Sequence, residues 1–136
     1  MKVLIVNDEV IIARQMEMLF KRYGLEPFVA ESCEDALKIA KKEKPEMAVI
    51  DNSLWTKEKE GVQVAYEVRE IIGKRCFIVL MTAYELEKIR KDYPKKEWVK
   101  IYTSINLFEA PYKVGMMKLM IDEWINAAKK YFKIFD

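Results

Sequence analysis

The sequence predicts one doubly wound α/β domain, a parallel sheet with helices on both faces. Three short apolar runs lack the alternation of a half-buried strand and indicate strands that are buried on both sides: residues 3–6, 47–50 and 77–81. The segments between them have the apolar spacing of helices, and strands that alternate with helices form parallel sheets with right-handed crossovers. With 136 residues, 51% of them hydrophobic, the chain has the size of a single domain over 1–136.

The first half of the chain predicts two helices around a short second strand. A helix over 10–23 is expected to turn one apolar stripe inward and to end at Gly24; the stripe consists of Ile11, Ile12, Met16, Leu19 and Phe20. The second strand is expected at 28–30. Ser32 followed by Asp35 has the spacing of a helix N-cap. The helix that it starts should end near Pro45, which cannot continue it.

The second half predicts two further strands and an extended last helix. A polar segment over 52–60 precedes a helix over 61–72, which Gly73 should close. A short charged helix is expected over 85–92, while 95–103 fits either an insertion or part of the fifth strand, which we expect at 105–108. The last helix should run from about 113 to 131 or further, because its apolar residues recur at helical spacing: Val114, Met117, Met120, Ile121, Trp124, Ile125 and Ala128.

Composition excludes several kinds of function. Lys and Arg number 24 against 22 Asp and Glu, so the net charge of +2 indicates neither a nucleic-acid nor a membrane partner. The chain has no His and only Cys33 and Cys76, which excludes Cys/His zinc sites and His-activated nucleophiles and argues against a disulfide framework. No apolar run has transmembrane length. We therefore expect a soluble, cytoplasmic protein.

The predicted strands end in polar residues that should share one edge of the sheet. Asn7, Asp8 and Glu9 follow the first strand, Asp51 follows the third and Thr82 ends the fourth. Ligands of open parallel sheets bind at the carboxyl ends of the strands. Carboxylates that lie close together repel one another unless a cation neutralises them, and oxygen ligands suit Mg²⁺. The sequence thus predicts a small Mg²⁺ pocket.

Four segments in this order resemble the receiver domains of two-component response regulators: residues 2–9, 30–37, 44–51 and 80–83. The resemblance covers nearly the whole chain and implies a flavodoxin-like, five-stranded sheet of order 2-1-3-4-5. A second folded domain does not fit in 136 residues, so we expect a stand-alone receiver without an output domain. Such a chain would signal through protein contacts with a downstream target, and it would accept a phosphoryl group and release it rather than act as a dedicated enzyme.

The resemblance assigns roles to individual residues of the pocket. It implies that Asp51 is the phosphoacceptor for a histidine kinase and that Thr82 is the switch hydroxyl. The Mg²⁺ ion would be held by Asp8, Asp51 and the backbone carbonyl of Ser53, with Glu9 or Asn7 as a further candidate ligand. A phosphatase with a carboxylate nucleophile is less favoured, because Ser53 stands where a second acid would be needed to protonate a leaving group.

Two departures from the family pattern leave a second function open. Asn7 occupies the first place of the family's acid pair, and Ala110, before Pro111 and Tyr112, occupies the place of the phosphate-binding Lys. Lys100 and Lys113 are the candidate replacements for that Lys. The alternative is therefore a phosphorylation-independent pseudo-receiver that acts as an interaction module. Apolar residues of the last helix are candidates for a homodimer surface: Met116, Tyr131, Phe132 and Phe135.

Overall fold

The computed structural model describes residues 1–51, 61–82, 105–109 and 114–135. These residues form five strands and four α-helices in the order β1 (Lys2–Val6), α1 (Val10–Arg22), β2 (Glu26–Ala30), α2 (Cys33–Glu43), β3 (Met47–Asp51), α3 (Gly61–Ile72), β4 (Phe77–Thr82), β5 (Ile105–Glu109) and α4 (Val114–Phe135). A 3₁₀ turn over Gly73–Arg75 follows α3. The predicted helix over 85–92 and the ambiguous segment 95–103 lie outside the described residues.

The five strands form one parallel sheet of order β2-β1-β3-β4-β5. This confirms the flavodoxin-like α/β fold and its strand order, including the fifth strand. The central strands are β1, β3 and β4, whose apolar runs are buried along their length. Their unbroken hydrophobicity reflects helix layers on both faces of the sheet.

Each face of the sheet has its own hydrophobic core, and successive residues of a strand alternate between the two. Leu4 and Val6 of β1 lie in the core that α2 and α3 cover. Val3 and Ile5 lie in the opposite core, which α1 and α4 cover. The alternation along β1 therefore indicates toward which face of the sheet the side chain of the next residue points.

The helix ends follow the capping chemistry of the sequence. Ser32 Oγ accepts a hydrogen bond from the Asp35 backbone N–H at 3.1 Å, which confirms the predicted N-cap of α2. Gly24, just after α1, has a φ of +81°, a conformation that costs glycine little. Lys44 ends α2 with a φ of 45° despite its side chain, and Pro45 follows.

The buried stripe of α1 differs from the predicted one at its start. Ile11 was expected to face inward, but its side chain is 75% exposed, whereas Ile12, Ala13, Met16 and Phe20 are buried. Consecutive residues of a helix lie about 100° apart, so a buried stripe that contains both Ile12 and Ala13 turns Ile11 toward solvent. Helical spacing alone did not show which of the two does.

The last helix is anchored at both the sheet and the α3–β4 connection. Trp124 is fully buried against the core. Tyr131 is also buried, and its hydroxyl donates a hydrogen bond to the Lys74 carbonyl at 2.6 Å while its ring centroid lies 5.4 Å from that of Phe77. The prediction that Tyr131 contributes to an exposed dimer surface is therefore wrong. Phe132 is half-buried, and the side chains of Met116 and Phe135 lie outside the described part.

Candidate functional site

The carboxyl edge of the sheet brings together the ends of β1, β3 and β4. Val6 of β1 pairs with Ile50 of β3, so Asn7, the next residue of the chain, lies level with Asp51. Asp51 in turn pairs with Met81, directly before Thr82. The order of the sheet thus places the predicted residues of the first, third and fourth strands at one edge.

Asn7 and Asp51 share a face of the sheet as well as an edge. In β3, Val49 belongs to the core under α1 and α4 and Ile50 to the other core, so alternation directs Asp51 to the α1 and α4 side. The same alternation directs Asn7 there, and its backbone N–H donates to the Ala30 carbonyl at 3.2 Å, which continues the bonding of β1 to β2 beyond Val6. Neighbouring strands are spaced about 4.8 Å apart.

Burial separates the acids of this edge into inner and outer ones. Asp51 is only 2% exposed and Asn7 is completely buried, whereas Asp8 is half-buried and Glu9 is exposed. Glu9 is the N-cap residue of α1, but its side chain makes no capping hydrogen bond. Asp51 and Asp8 are therefore the acids best placed to act within a pocket at this edge.

Asn7 also shapes the turn between β1 and α1. Its Oδ1 accepts a hydrogen bond from the Glu9 backbone N–H at 2.9 Å, a local bond that Asn and Asp side chains commonly make in turns. The Ala13 N–H donates to the Glu9 carbonyl at 3.0 Å, which closes the first turn of α1. The side chain of Asn7 thus helps to direct the chain from the sheet edge into the helix.

The donor set at this edge fits a small, oxygen-liganded cation. Mg²⁺ commonly binds through one or two carboxylates and keeps several waters, and Asp8 and Asp51 can provide the carboxylates. Asn7 is a poorer ligand, because Oδ1 already accepts from Glu9 and an amide nitrogen does not bind Mg²⁺. Among the residues that the structure describes, no three His, Cys, Asp or Glu side chains are grouped so as to hold a metal.

The cysteine thiols do not compete with the carboxylates as nucleophiles. Cys33 and Cys76 are both buried and neither forms a disulfide. Burial raises the pKa of the Cys76 thiol to about 12, so the reactive thiolate is scarce near neutral pH.

Several predicted site residues lie outside the described part of the chain. The backbone of Thr82 ends β4, but the position of its hydroxyl lies outside the described side chains. Ser53, Lys100, Ala110 and Lys113 also lie outside the described residues. The Mg²⁺ ligand role of the Ser53 carbonyl and the replacement for the phosphate-binding Lys therefore stay predictions.

Two buried polar residues were missed at the sequence level. The sequence alone indicates only a missing charge at Asn7, although the position of Asn7 directly after a run of apolar residues is a signal for a buried amide. Arg69 is 8% exposed, and its Nη1 donates to the Gly73 carbonyl at 2.6 Å beyond the end of α3. No local pattern signals Arg69, since an Arg in an amphipathic helix usually faces water.

Comparisons with known proteins agree with the fold. A family model described as the response regulator receiver domain matches residues 3–101. Sporulation initiation phosphotransferase F of Bacillus subtilis (strain 168) is 27% identical over 98% of this chain and 94% of its own length. The alkaline phosphatase synthesis transcriptional regulatory protein PhoP of the same strain is 32% identical over 66% of this chain but only 36% of its own length.

Solved structures show the same architecture. A CheY-like response regulator receiver domain protein from Methanospirillum hungatei JF-1 superposes with a TM-score of 0.72 at 18% identity, over 95% of this chain and 96% of the other. NtrX from Brucella abortus, solved with ATP, superposes with the same TM-score of 0.72 at 17% identity, over 98% of this chain and 28% of its own.

In the described part of the chain, no helix combines the length and apolar character needed to cross a membrane. The strand order and the family match over residues 3–101 together establish that the chain belongs to the response regulator receiver domain family.

Proposed function

We propose that this receiver domain takes a phosphoryl group onto Asp51 from a histidine kinase. The observation that carries the proposal is the position of Asp51, a 2%-exposed carboxylate that ends the central strand β3. It lies at the sheet edge where Asp8 and Asn7 also lie. The name of the Bacillus relative, a phosphotransferase that matches over 98% of this chain, supports the same class of chemistry.

The transfer exchanges one bond to phosphorus for another. A carboxylate oxygen of Asp51 attacks the phosphorus of a phosphohistidine, and a P–O bond forms as the P–N bond breaks. The imidazole nitrogen of the donor leaves with the electron pair of the broken bond. Asp51 then carries an acyl phosphate and no longer an ionised carboxylate.

The surrounding residues have distinct tasks in this proposal. Mg²⁺ held by Asp8, Asp51 and the Ser53 carbonyl would offset the charge of the phosphoryl group as it transfers. The nearly complete burial of Asp51 limits its contact with bulk water. Thr82, one residue beyond the strand partner of Asp51, is proposed to donate its hydroxyl proton to the bound phosphoryl group.

Signalling then follows from the change in local charge. The phosphoryl group carries about −1.5 to −2 charges and three acceptor oxygens at neutral pH. Because Asp51 gives up its own carboxylate charge, the net change at the site is about −0.5 to −1. Such a change can bias a surface between two arrangements that a downstream protein distinguishes. A cytoplasmic location belongs to the same proposal and agrees with two cysteines that form no disulfide.

The direct test is phosphorylation by a small donor. We expect the wild-type protein, incubated with Mg²⁺ and acetyl phosphate, to gain the mass of one phosphoryl group in an intact-mass measurement. Asp51→Asn keeps the size of the side chain but removes the nucleophile, so it should gain nothing. Asp35→Asn, in the first turn of α2, is a matched control that should be modified like the wild type. An adduct of equal yield on Asp51→Asn would refute Asp51 as the acceptor.

The burial of Asn7 favours a second candidate, the phosphorylation-independent pseudo-receiver. An uncharged amide completely buried in the first place of the acid pair leaves fewer negative charges to attract a cation. In this alternative the same surface binds a partner without modification. A wild-type protein that is folded but gains no phosphoryl mass at millimolar Mg²⁺ would favour it over the first proposal.

A further inference from the structure

The side chain of Asn7 has one satisfied end and one unsatisfied end. Its Oδ1 accepts the hydrogen bond from the Glu9 backbone N–H at 2.9 Å. This bond fixes the orientation of the amide, because an N–H donor requires the oxygen and not the nitrogen to face it. The Nδ2 group must then point the other way.

Within the described part of the chain, Asn7 Nδ2 is buried and has no hydrogen-bond partner. Asn7 as a whole is 0% exposed, so bulk water does not satisfy its two N–H groups. Buried donors without partners are rare in folded proteins because they lose their hydrogen bonds to water without replacement. Such a group is well suited to an acceptor that arrives only in another state of the protein.

The position of Asn7 indicates which acceptor that is. Register and alternation place Asn7 level with Asp51 and on the same face, one strand spacing away. A phosphoryl group on Asp51 would bring three strong acceptor oxygens to this place. The carboxylate of an aspartate at position 7 would repel those oxygens, whereas an amide can donate to one of them.

We propose that Asn7 Nδ2 is a hydrogen-bond donor to the phosphoryl group on Asp51. The inference rests on the proposed function, since it requires Asp51 to be phosphorylated. It gives Asn7 a positive role in place of a missing charge, because the amide donates to the phosphoryl oxygens that a carboxylate at this position would repel. The two ends of one side chain then link the phosphoryl group to the Glu9 N–H at the start of α1.

The test observes the amide itself by NMR of ¹⁵N-labelled full-length protein. The side-chain resonances of Asn7 are identified as the pair missing from Asn7→Asp, or from Asn7→Ser if the aspartate variant does not fold. Spectra are then compared for the protein alone, with Mg²⁺, and with Mg²⁺ plus acetyl phosphate. We expect at least one Asn7 amide proton to move downfield and to exchange more slowly with water only in the last sample.

Two controls separate this inference from its premise. Asp51→Asn in the last condition should leave the Asn7 pair where Mg²⁺ alone places it. Intact mass of the same wild-type sample reports whether Asp51 is phosphorylated. A phosphoryl adduct without movement of the Asn7 pair, or with the whole movement already produced by Mg²⁺ alone, overturns the inference and leaves the proposed function standing. The absence of any adduct overturns both.

Discussion

The hydroxyl of Tyr131 offers a sharp test of how the last helix is held. Tyr131→Phe removes the donor of the 2.6 Å bond to the Lys74 carbonyl but keeps the ring that packs on Phe77. The residue is only 9% exposed, so water replaces the lost bond poorly. Breaking one buried hydrogen bond should lower the free energy of unfolding by about 1.5 kcal/mol. For a domain of this size, that corresponds to a fall in Tm of roughly 5–7 °C.

Urea unfolding followed by tryptophan fluorescence is a suitable assay, because Trp124 is fully buried and reports on the α4 core. Tyr131→Ala should cost about 3–5 kcal/mol, since it also removes the ring. Tyr23→Phe is a matched control: the Tyr23 hydroxyl bonds to Asp122, but the residue is exposed, so its loss should change stability less. A Tyr131→Phe protein as stable as wild type, or as unstable as Tyr131→Ala, would refute the reasoning.

Two further predictions concern local interactions. Ser32→Ala removes the acceptor that caps α2 and should destabilise the protein by about 1 kcal/mol, while Ser32→Asp keeps an acceptor and should cost much less; equal Tm values for both variants would contradict this. The second prediction concerns pH. The 2.9 Å bond to Lys2 lowers the pKa of Glu43 below 4.5 in the folded state. The ionised Glu43 therefore stabilises the fold above pH 4.5, and this contribution is lost as the pH falls through the pKa that Glu43 has in the folded protein. The same bond raises the pKa of Lys2 above 10.5 in the folded state. The contribution of the charged Lys2 to stability is therefore present below pH 10.5 and is lost at higher pH. Lys2→Met should therefore have a lower Tm than wild type at neutral pH, and the two Tm values should converge in acid. Tm measured against pH tests this, with Glu43→Gln as the control. A difference in Tm that persists unchanged at pH 2 would argue instead for lost packing against Phe28.

Most of the fold could be predicted because its signals are local. Fully apolar runs indicate strands buried on both faces, and the Ser32 cap and Gly24 turn are determined by residues within a few positions of them. The predicted strand at 105–108 agrees with β5 for the same reason. The predictions that Ile11 is buried and that Tyr131 is exposed are wrong because burial depends on which side of a helix faces the sheet. Packing between distant segments decides that orientation.

The candidate site also has features that the sequence predicts and features that it does not. Its acids could be located from the sequence, since each follows a recognisable strand. The state of Asn7 could not, because the local bond from Glu9 is only part of it: the pairing of β1 with β3 and the burial of Asn7 depend on residues distant in the chain. Residue type indicated only that a charge was missing.

The sequence by itself determined the class of fold, the order of its elements and the family resemblance that assigns a role to Asp51. Only the tertiary structure decided which side chains near Asp51 are shielded from water and which donors and acceptors are already used. The physical reason is that periodicity and capping are set by neighbours along the chain, whereas burial and hydrogen-bond satisfaction are set by neighbours in space. Asn7 illustrates the difference: its sequence position predicts a weaker cation site, while its buried, unpaired Nδ2 indicates a donor prepared for a phosphoryl group.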